Sequence, residues 1–227
     1  MPSAHRVLLI LVALALASCG APALPTGPAV TPPSGGGGGA QPQAVDRAQI
    51  ASGPTAPSAS VPVAAPSPEQ AEGTVMHARC NVHYEDGVAE WVNYLRGPII
   101  QFNTAIEVLD AKRDEVEFRL VEGGVELHFA NDEAKSGHAT WDLFTRLFAV
   151  EDQAPRLAAL SAGDRKRVGA AEVTQGMTRA AVEMSVCPPP PPATASLDAS
   201  AWIYWTSRVN RRKVVFDNDG YVSRVEQ

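Results

Sequence analysis

From residue 20 to residue 73 the chain carries no aromatic side chain. Pro22, Pro25, Pro28, Pro32 and Pro33 lead into the glycine run 35–39, and further prolines follow among Ala, Ser and Thr as far as Pro68. Such a segment cannot bury enough apolar area to offset the entropy of ordering it. The expectation for residues 19–73 is therefore a disordered Pro/Gly/Ala-rich tether, spanning about 40 Å as a flexible coil. Any fold has to be built from the remaining residues 74–227, enough for one domain or two small ones.

The tether is preceded by a short apolar run, Val7 to Ala17, behind Arg6. A bilayer-spanning helix needs about 20 apolar residues, so this run is too short and reads as a secretory signal peptide over residues 1–18. It ends in Leu16-Ala17-Ser18-Cys19, which resembles the bacterial lipobox. The resemblance implies cleavage before Cys19, acylation of its thiol and then of the new amino group. Two or more acyl chains anchor a protein stably, where one holds it only reversibly. Gly20, rather than Asp, follows the cysteine. In a two-membrane envelope this resembles the signal for sorting to the outer membrane, with the chain facing the periplasm.

A formal net charge of −6 argues against nucleic-acid binding, which needs a basic footprint. Besides Cys19, the chain has Cys80 and Cys187. An exported compartment permits a bridge between them; the alternative is two separate buried thiols.

Three zones follow the tether. Residues 74–135 read as a small β unit. Val116, Phe118 and Leu120 alternate with charged residues, as do Val125, Leu127 and Phe129, and Gly123-Gly124 lies between the two runs as a hairpin turn. Ala105 to Asp110, Thr74 to Cys80 and Glu90 to Leu95 are further strand candidates, which suggests a small five-strand meander or barrel. Arg79-Cys80-Asn81-Val82 and Leu95-Arg96-Gly97-Pro98 are faintly similar to bacterial SH3-like modules.

Residues 136–172 read as helical. Trp141, Phe144, Leu147 and Phe148 recur at helical spacing, with Ser136 or Thr140 as cap; Pro155 suits the first turn of a second helix, and Ser161 opens a third through Arg165-Lys166-Arg167. The aromatic stripe is read as core.

In residues 173–227, Thr178 is placed to cap a helix, with Met177 and Val182 as a hydrophobic staple. Pro188 to Pro192 follow as an extended polyproline run, then strands over 201–206, 212–217 and 221–226, the last two joined by an Asp217-Asn218-Asp219-Gly220 turn. This order of Gly-Met-Thr helix, proline loop, Trp-Ile-Tyr-Trp strand and Lys-Val-Val-Phe-Asp-Asn-Asp-Gly-Tyr-Val resembles the SmpA/OmlA (BamE-like) outer-membrane lipoprotein domain. The resemblance implies helices on a three-stranded antiparallel sheet and an accessory role in β-barrel assembly. The chain departs from that pattern at Ala181, where the family carries an acidic residue, and at Ser185-Val186-Cys187-Pro188, where it carries Leu-Gly-x-Pro. The fold class expected is α+β: β unit, helical middle, then helix plus three-stranded sheet.

The chemistry of an enzyme is not written in the chain. It contains no G-x-S-x-G, H-E-x-x-H, P-loop or G-x-G-x-x-G. His77, Cys80 and His83 match no zinc spacing, and Asp217 to Gly220 lacks the remaining ligands of a calcium loop. No catalytic residue, metal or cofactor is expected. Binding is the better reading. Arg208, Arg211, Arg212 and Lys213 cluster beside Trp202, Tyr204 and Trp205. The first reading is a solvated basic turn next to core aromatics. The alternative is that these cations with Trp202 and Tyr204 form a candidate partner surface, a patch for anionic headgroups or a partner protein. The functional expectation is a lipid-anchored envelope scaffold or binding protein, an accessory to outer-membrane protein assembly. The alternative is a β unit whose Tyr84, Trp91 and Tyr94 line a groove for a peptide or cell-wall fragment.

Overall fold

The alternation around Gly123-Gly124 produces the hairpin at the centre of the larger sheet. In the computed structural model, which describes residues 64–194 and 196–227, this sheet has six strands. In chain order the elements are β1 (Val75–Ala78), β2 (Val82–His83), β3 (Val88–Glu90), β4 (Ile99–Ile100), β5 (Ala105–Ala111), β6 (Glu115–Leu120) and β7 (Glu126–Ala130). After them come α1 (Glu133–Ser136), α2 (Thr140–Leu147), β8 (Phe148–Ala149), α3 (Ala154–Ala158), α4 (Ala162–Gly169) and α5 (Arg179–Val186). Strands β9 (Ala201–Trp205), β10 (Arg211–Phe216) and β11 (Val222–Glu226) close the chain. Cys19, the signal peptide and most of the expected tether lie outside the described residues.

The folded part begins ahead of Thr74. Pro68–Gln70 form a 3-10 turn, Ala71 is fully buried, and the Pro66 carbonyl accepts the Trp141 indole N–H at 2.9 Å. The curled large sheet runs β3-β7-β6-β5-β1-β8. It is not a local five-strand meander. β3 joins β7 in parallel, β8 is contributed by the helical middle, and β2 pairs with β4 as a separate ribbon. Glu90 to Leu95, expected as a strand, is strand only at Glu90; Trp91 onward turns away. The SH3-like reading of a self-contained unit gives way because the inner face of the sheet is covered by α2. Phe144 stacks there at 4.7 Å from Phe148 and 5.6 Å from Phe129, and Phe118 lies 5.4 Å from Phe148, ring centre to ring centre. Phe148 thus shares the aromatic cluster while its backbone is strand, and α2 ends at Leu147.

Caps explain the helix boundaries. Ser161 accepts from the Asp164 amide at 3.0 Å and Thr178 from the Ala181 amide at 3.2 Å, each satisfying one orphan donor of a first turn. Thr140 is not a cap; it is the first helical residue, and its hydroxyl donates to the Arg113 carbonyl at 2.6 Å. A second core lies between α4, α5 and the antiparallel sheet β11-β10-β9, around Met177, Val182, Trp202, Tyr204 and Val214.

The two cores are stitched by buried polar groups. Asn81, fully buried, donates to the carbonyls of Val168 at 2.7 Å and Ser185 at 3.1 Å, and its oxygen accepts from the Phe102 amide at 2.7 Å. Asn93 accepts from the His83 amide at 2.8 Å and donates to the Val186 carbonyl at 3.1 Å. Beside them Cys80 and Cys187 are joined in a disulfide across a sequence separation of 107.

Candidate functional site: a proline strap between two clefts

The disulfide fixes where the proline run starts. Cys187 ends α5, and Pro188 to Pro192 follow as a strap in which Pro189 and Pro190 are buried and Pro192 is exposed. Pro190 has near-polyproline geometry, but Pro191–Ala193 form a 3-10 turn, so the run is not one extended rod. The Ala193 amide donating to the Pro190 carbonyl at 3.0 Å makes that turn, and Thr194 holds its end by accepting from the Ile203 amide at 3.1 Å.

One edge of the strap borders an aromatic groove of about 360 Å³. Pro190 and Pro192 line it together with Trp91, Tyr94, Trp205 and Arg211. The lining is held by backbone contacts. Trp91 follows β3, and its amide donates to the Ala130 carbonyl at 3.0 Å. The Leu95 amide donates to the Trp205 carbonyl at 3.0 Å, drawing the Tyr94 loop against β9. Gly97 closes the same loop at φ +80°, and a Cβ there would sit 2.4 Å from the Tyr84 carbonyl oxygen, so no other residue fits without moving the chain.

The cations of the groove divide into two kinds. Lys135 is paired with Asp132 at 2.7 Å, which raises the ammonium pKa and lowers that of the carboxyl. Arg211 lies over the Trp205 ring at 4.0 Å, and Arg208 reaches the same groove. Among the described residues, no carboxylate pairs with either guanidinium within 4.0 Å. Trp91, Tyr94, Lys135 and Arg208 also line an adjoining, larger cleft of about 780 Å³ that carries Glu85, Asp86, Glu90 and Asp132 as well.

The candidate partner surface is therefore rearranged. Trp202 and Tyr204 are each 1% exposed and belong to the core. The Trp202 indole donates to the Leu197 carbonyl at 3.1 Å, and the Tyr204 hydroxyl to the Cys187 carbonyl at 3.0 Å. Burial, with a smaller contribution from Glu183, raises the Tyr204 pKa well above its usual value, so it stays a donor. Arg212 stands in register with Tyr204, on the core side of β10, while Arg211 and Lys213 pair with Trp205 and Ile203 on the outer side. Lys213 is taken up by Glu226 at 3.2 Å. Of its six residues, Arg208 and Arg211 reach the groove, and they do so beside Trp205. Of the alternative aromatic set, Trp91 and Tyr94 are half-buried and share this groove; Tyr84 lies instead in a narrow crevice next to it.

Cys80 is spent in the disulfide, so the His77, Cys80 and His83 group offers no thiolate for a metal. A different set, Glu115, Glu117 and His128, brings ligand atoms within 4.8 Å of one another on the outer face of β6 and β7. Cross-strand register makes this set, since Glu117 stands opposite His128. Lys112 already pairs with the Glu117 carboxylate, and His128 lies 3.5 Å from Glu115. The Asp217 turn is closed by its own carboxylate, which accepts from the Asp219 and Tyr221 amides at 3.1 and 2.9 Å.

No protein-family model matches the chain, and neither a curated protein nor a solved structure matches it significantly.

Proposed function

We propose that the chain is a lipid-anchored envelope protein, held to the outer membrane through Cys19, that binds an extended, acidic segment of another envelope protein. The observation that carries this reading is the groove between Trp91, Tyr94, Trp205 and the proline strap, where Arg208 and Arg211 have no carboxylate within 4.0 Å among the described residues. Aromatic rings beside prolines suit an extended polypeptide, whose side chains dock between rings while its backbone keeps its hydration. The charge favours an acidic one. In a chain of net charge −6, these two guanidiniums are a local reversal of sign.

An accessory role in β-barrel assembly is the specific form of this reading. It is supported by the lipobox resemblance, by the resemblance of the C-terminal segments to BamE-like domains, and by the α5 helix packed on the antiparallel β9, β10 and β11 sheet. The test has two parts. Membrane fractions of cells expressing the full chain or its Cys19→Ala form are compared; the reading expects only the parent to stay with the membrane. Crosslinked, detergent-extracted complexes of the parent and of Arg208→Glu/Arg211→Glu are then compared for β-barrel assembly components. Those components should accompany the parent and be depleted from the double variant; their absence from both would remove the assembly role.

A further inference from the structure

The opposite edge of the strap borders a second cavity, of about 460 Å³, that the aromatic groove does not use. Arg79, Arg146 and His138 face it from the β1 and α2 side, and Pro188, Thr194 and Ser196 from the strap side. Its electrostatics are one-sided. Among the described residues, neither Arg79 nor Arg146 has a carboxylate within 4.0 Å, and the Arg79 Nε is buried with no hydrogen-bond partner. Among the described residues, the Arg79 side chain otherwise makes a long contact, 3.4 Å, from Nη1 to the Thr145 carbonyl. Arg146 approaches His138 Nδ1 at 3.5 Å. The one acid on the wall, Glu183, is shared with Arg156 at 3.7 Å. Arg79 also repels the Arg156 guanidinium, whose pKa burial already lowers. Among the described residues lining the cavity, Glu183 is thus the one carboxylate beside the guanidiniums of Arg79 and Arg146.

The neutral donors complete the set. The Thr194 hydroxyl accepts from the Ile203 amide, and the Ser196 hydroxyl from the Asp198 amide, both at 3.1 Å. Each accepts through its oxygen, and among the described residues neither O–H has an acceptor of its own. Two arginine forks, two hydroxyls and an imidazole offer more donors than a carboxylate has acceptor sites, and they suit a group with several oxygens. Pro188, Pro189 and Leu197 supply an apolar side against which the rest of such a ligand would lie.

We propose that this cavity is a binding site for a phosphate group carried on an organic ligand. Phosphate of this kind has two sources, a water-soluble phosphomonoester and the headgroup of an anionic phospholipid, and one experiment separates them. The full chain is titrated calorimetrically with inorganic phosphate, with glycerol phosphate, and with dihexanoyl phosphatidylglycerol below its micelle concentration, using dihexanoyl phosphatidylcholine as the zwitterionic control. Saturable binding of glycerol phosphate but not of the lipid assigns the soluble source, and the converse assigns the headgroup; either supports the site. In both cases Arg146→Glu, at an exposed position that leaves the core intact, should weaken binding at least tenfold. Arg79→Gln should weaken it as well, and Arg208→Glu, on the other edge of the strap, should leave it unchanged. No saturable binding of any anionic probe would overturn the proposal, as would binding that Arg146→Glu and Arg79→Gln leave untouched.

Discussion

The Tyr204 hydroxyl donates to the Cys187 carbonyl at 3.0 Å, across the junction of the two cores. Cys187 has φ 68° and ψ 169°, a region that non-glycine residues enter only at a cost of about 1 to 3 kcal/mol. It is held there by the disulfide to Cys80 and by the phenol of Tyr204. This is the conformation that turns the chain out of α5 and into the proline strap between the two clefts. Both candidate sites therefore depend on one strained residue that the fold over-determines.

Tyr204→Phe keeps the ring and removes the hydroxyl. A buried carbonyl loses its donor, so the variant should be less stable by about 1 to 3 kcal/mol. Chemical denaturation of the two proteins measures this; equal midpoints at equal slopes would show that the bond does not hold the junction.

The disulfide closes a loop of 107 residues of sequence separation. By chain entropy alone such a cross-link is worth about 4 to 5 kcal/mol. Cys80→Ser/Cys187→Ser should lose most of that in denaturation experiments, and reductant should destabilise the parent while leaving the double variant unmoved.

Asn81→Ala would strip donors from the Val168 and Ser185 carbonyls and an acceptor from the Phe102 amide. The loss expected is about 3 kcal/mol or more, because several buried groups are orphaned together. Thr178→Ala, which removes a single cap, should cost about 1 kcal/mol. The order of the two midpoints in urea checks the claim that Asn81 is the stitch between cores.

The contrast between these residues also marks what the chain makes legible. Thr178, Ser161 and the Asp217 turn act on atoms within four residues, so their roles can be read locally. The Val116 and Leu127 alternation is equally local. The parallel pairing of β3 with β7 and the recruitment of Phe148 into β8 depend on partners far along the chain, and no local pattern encodes them. Trp202 to Trp205 shows the same limit at the site. Alternation separates Trp202 and Tyr204 from Ile203 and Trp205, but both faces are apolar, and only packing decides which face is core. Asn81 carries no pattern that distinguishes it from a surface asparagine.

His83 supplies a pH dependence. Its folded pKa is lowered below the ordinary 6.5 chiefly by burial, against opposing hydrogen bonds to the Arg96 and Gly97 backbone. The folded state then binds fewer protons than the unfolded one. Its contribution is present above pH 6.5 and is lost as the pH falls through 6.5 towards the folded value. Stability of the parent should decline over that window, and His83→Gln should flatten the decline; an unchanged slope would assign it to other groups.

The most direct measurement of the binding claim is photocrosslinking in intact cells from a reactive residue placed at Tyr94, with the adducts mapped by mass spectrometry. The account predicts a discrete adduct to an acidic, extended segment of an envelope protein, sharply reduced when Arg208 and Arg211 are both changed to Glu. An adduct yield indifferent to that charge reversal, or no adduct from Tyr94 at all, would contradict it.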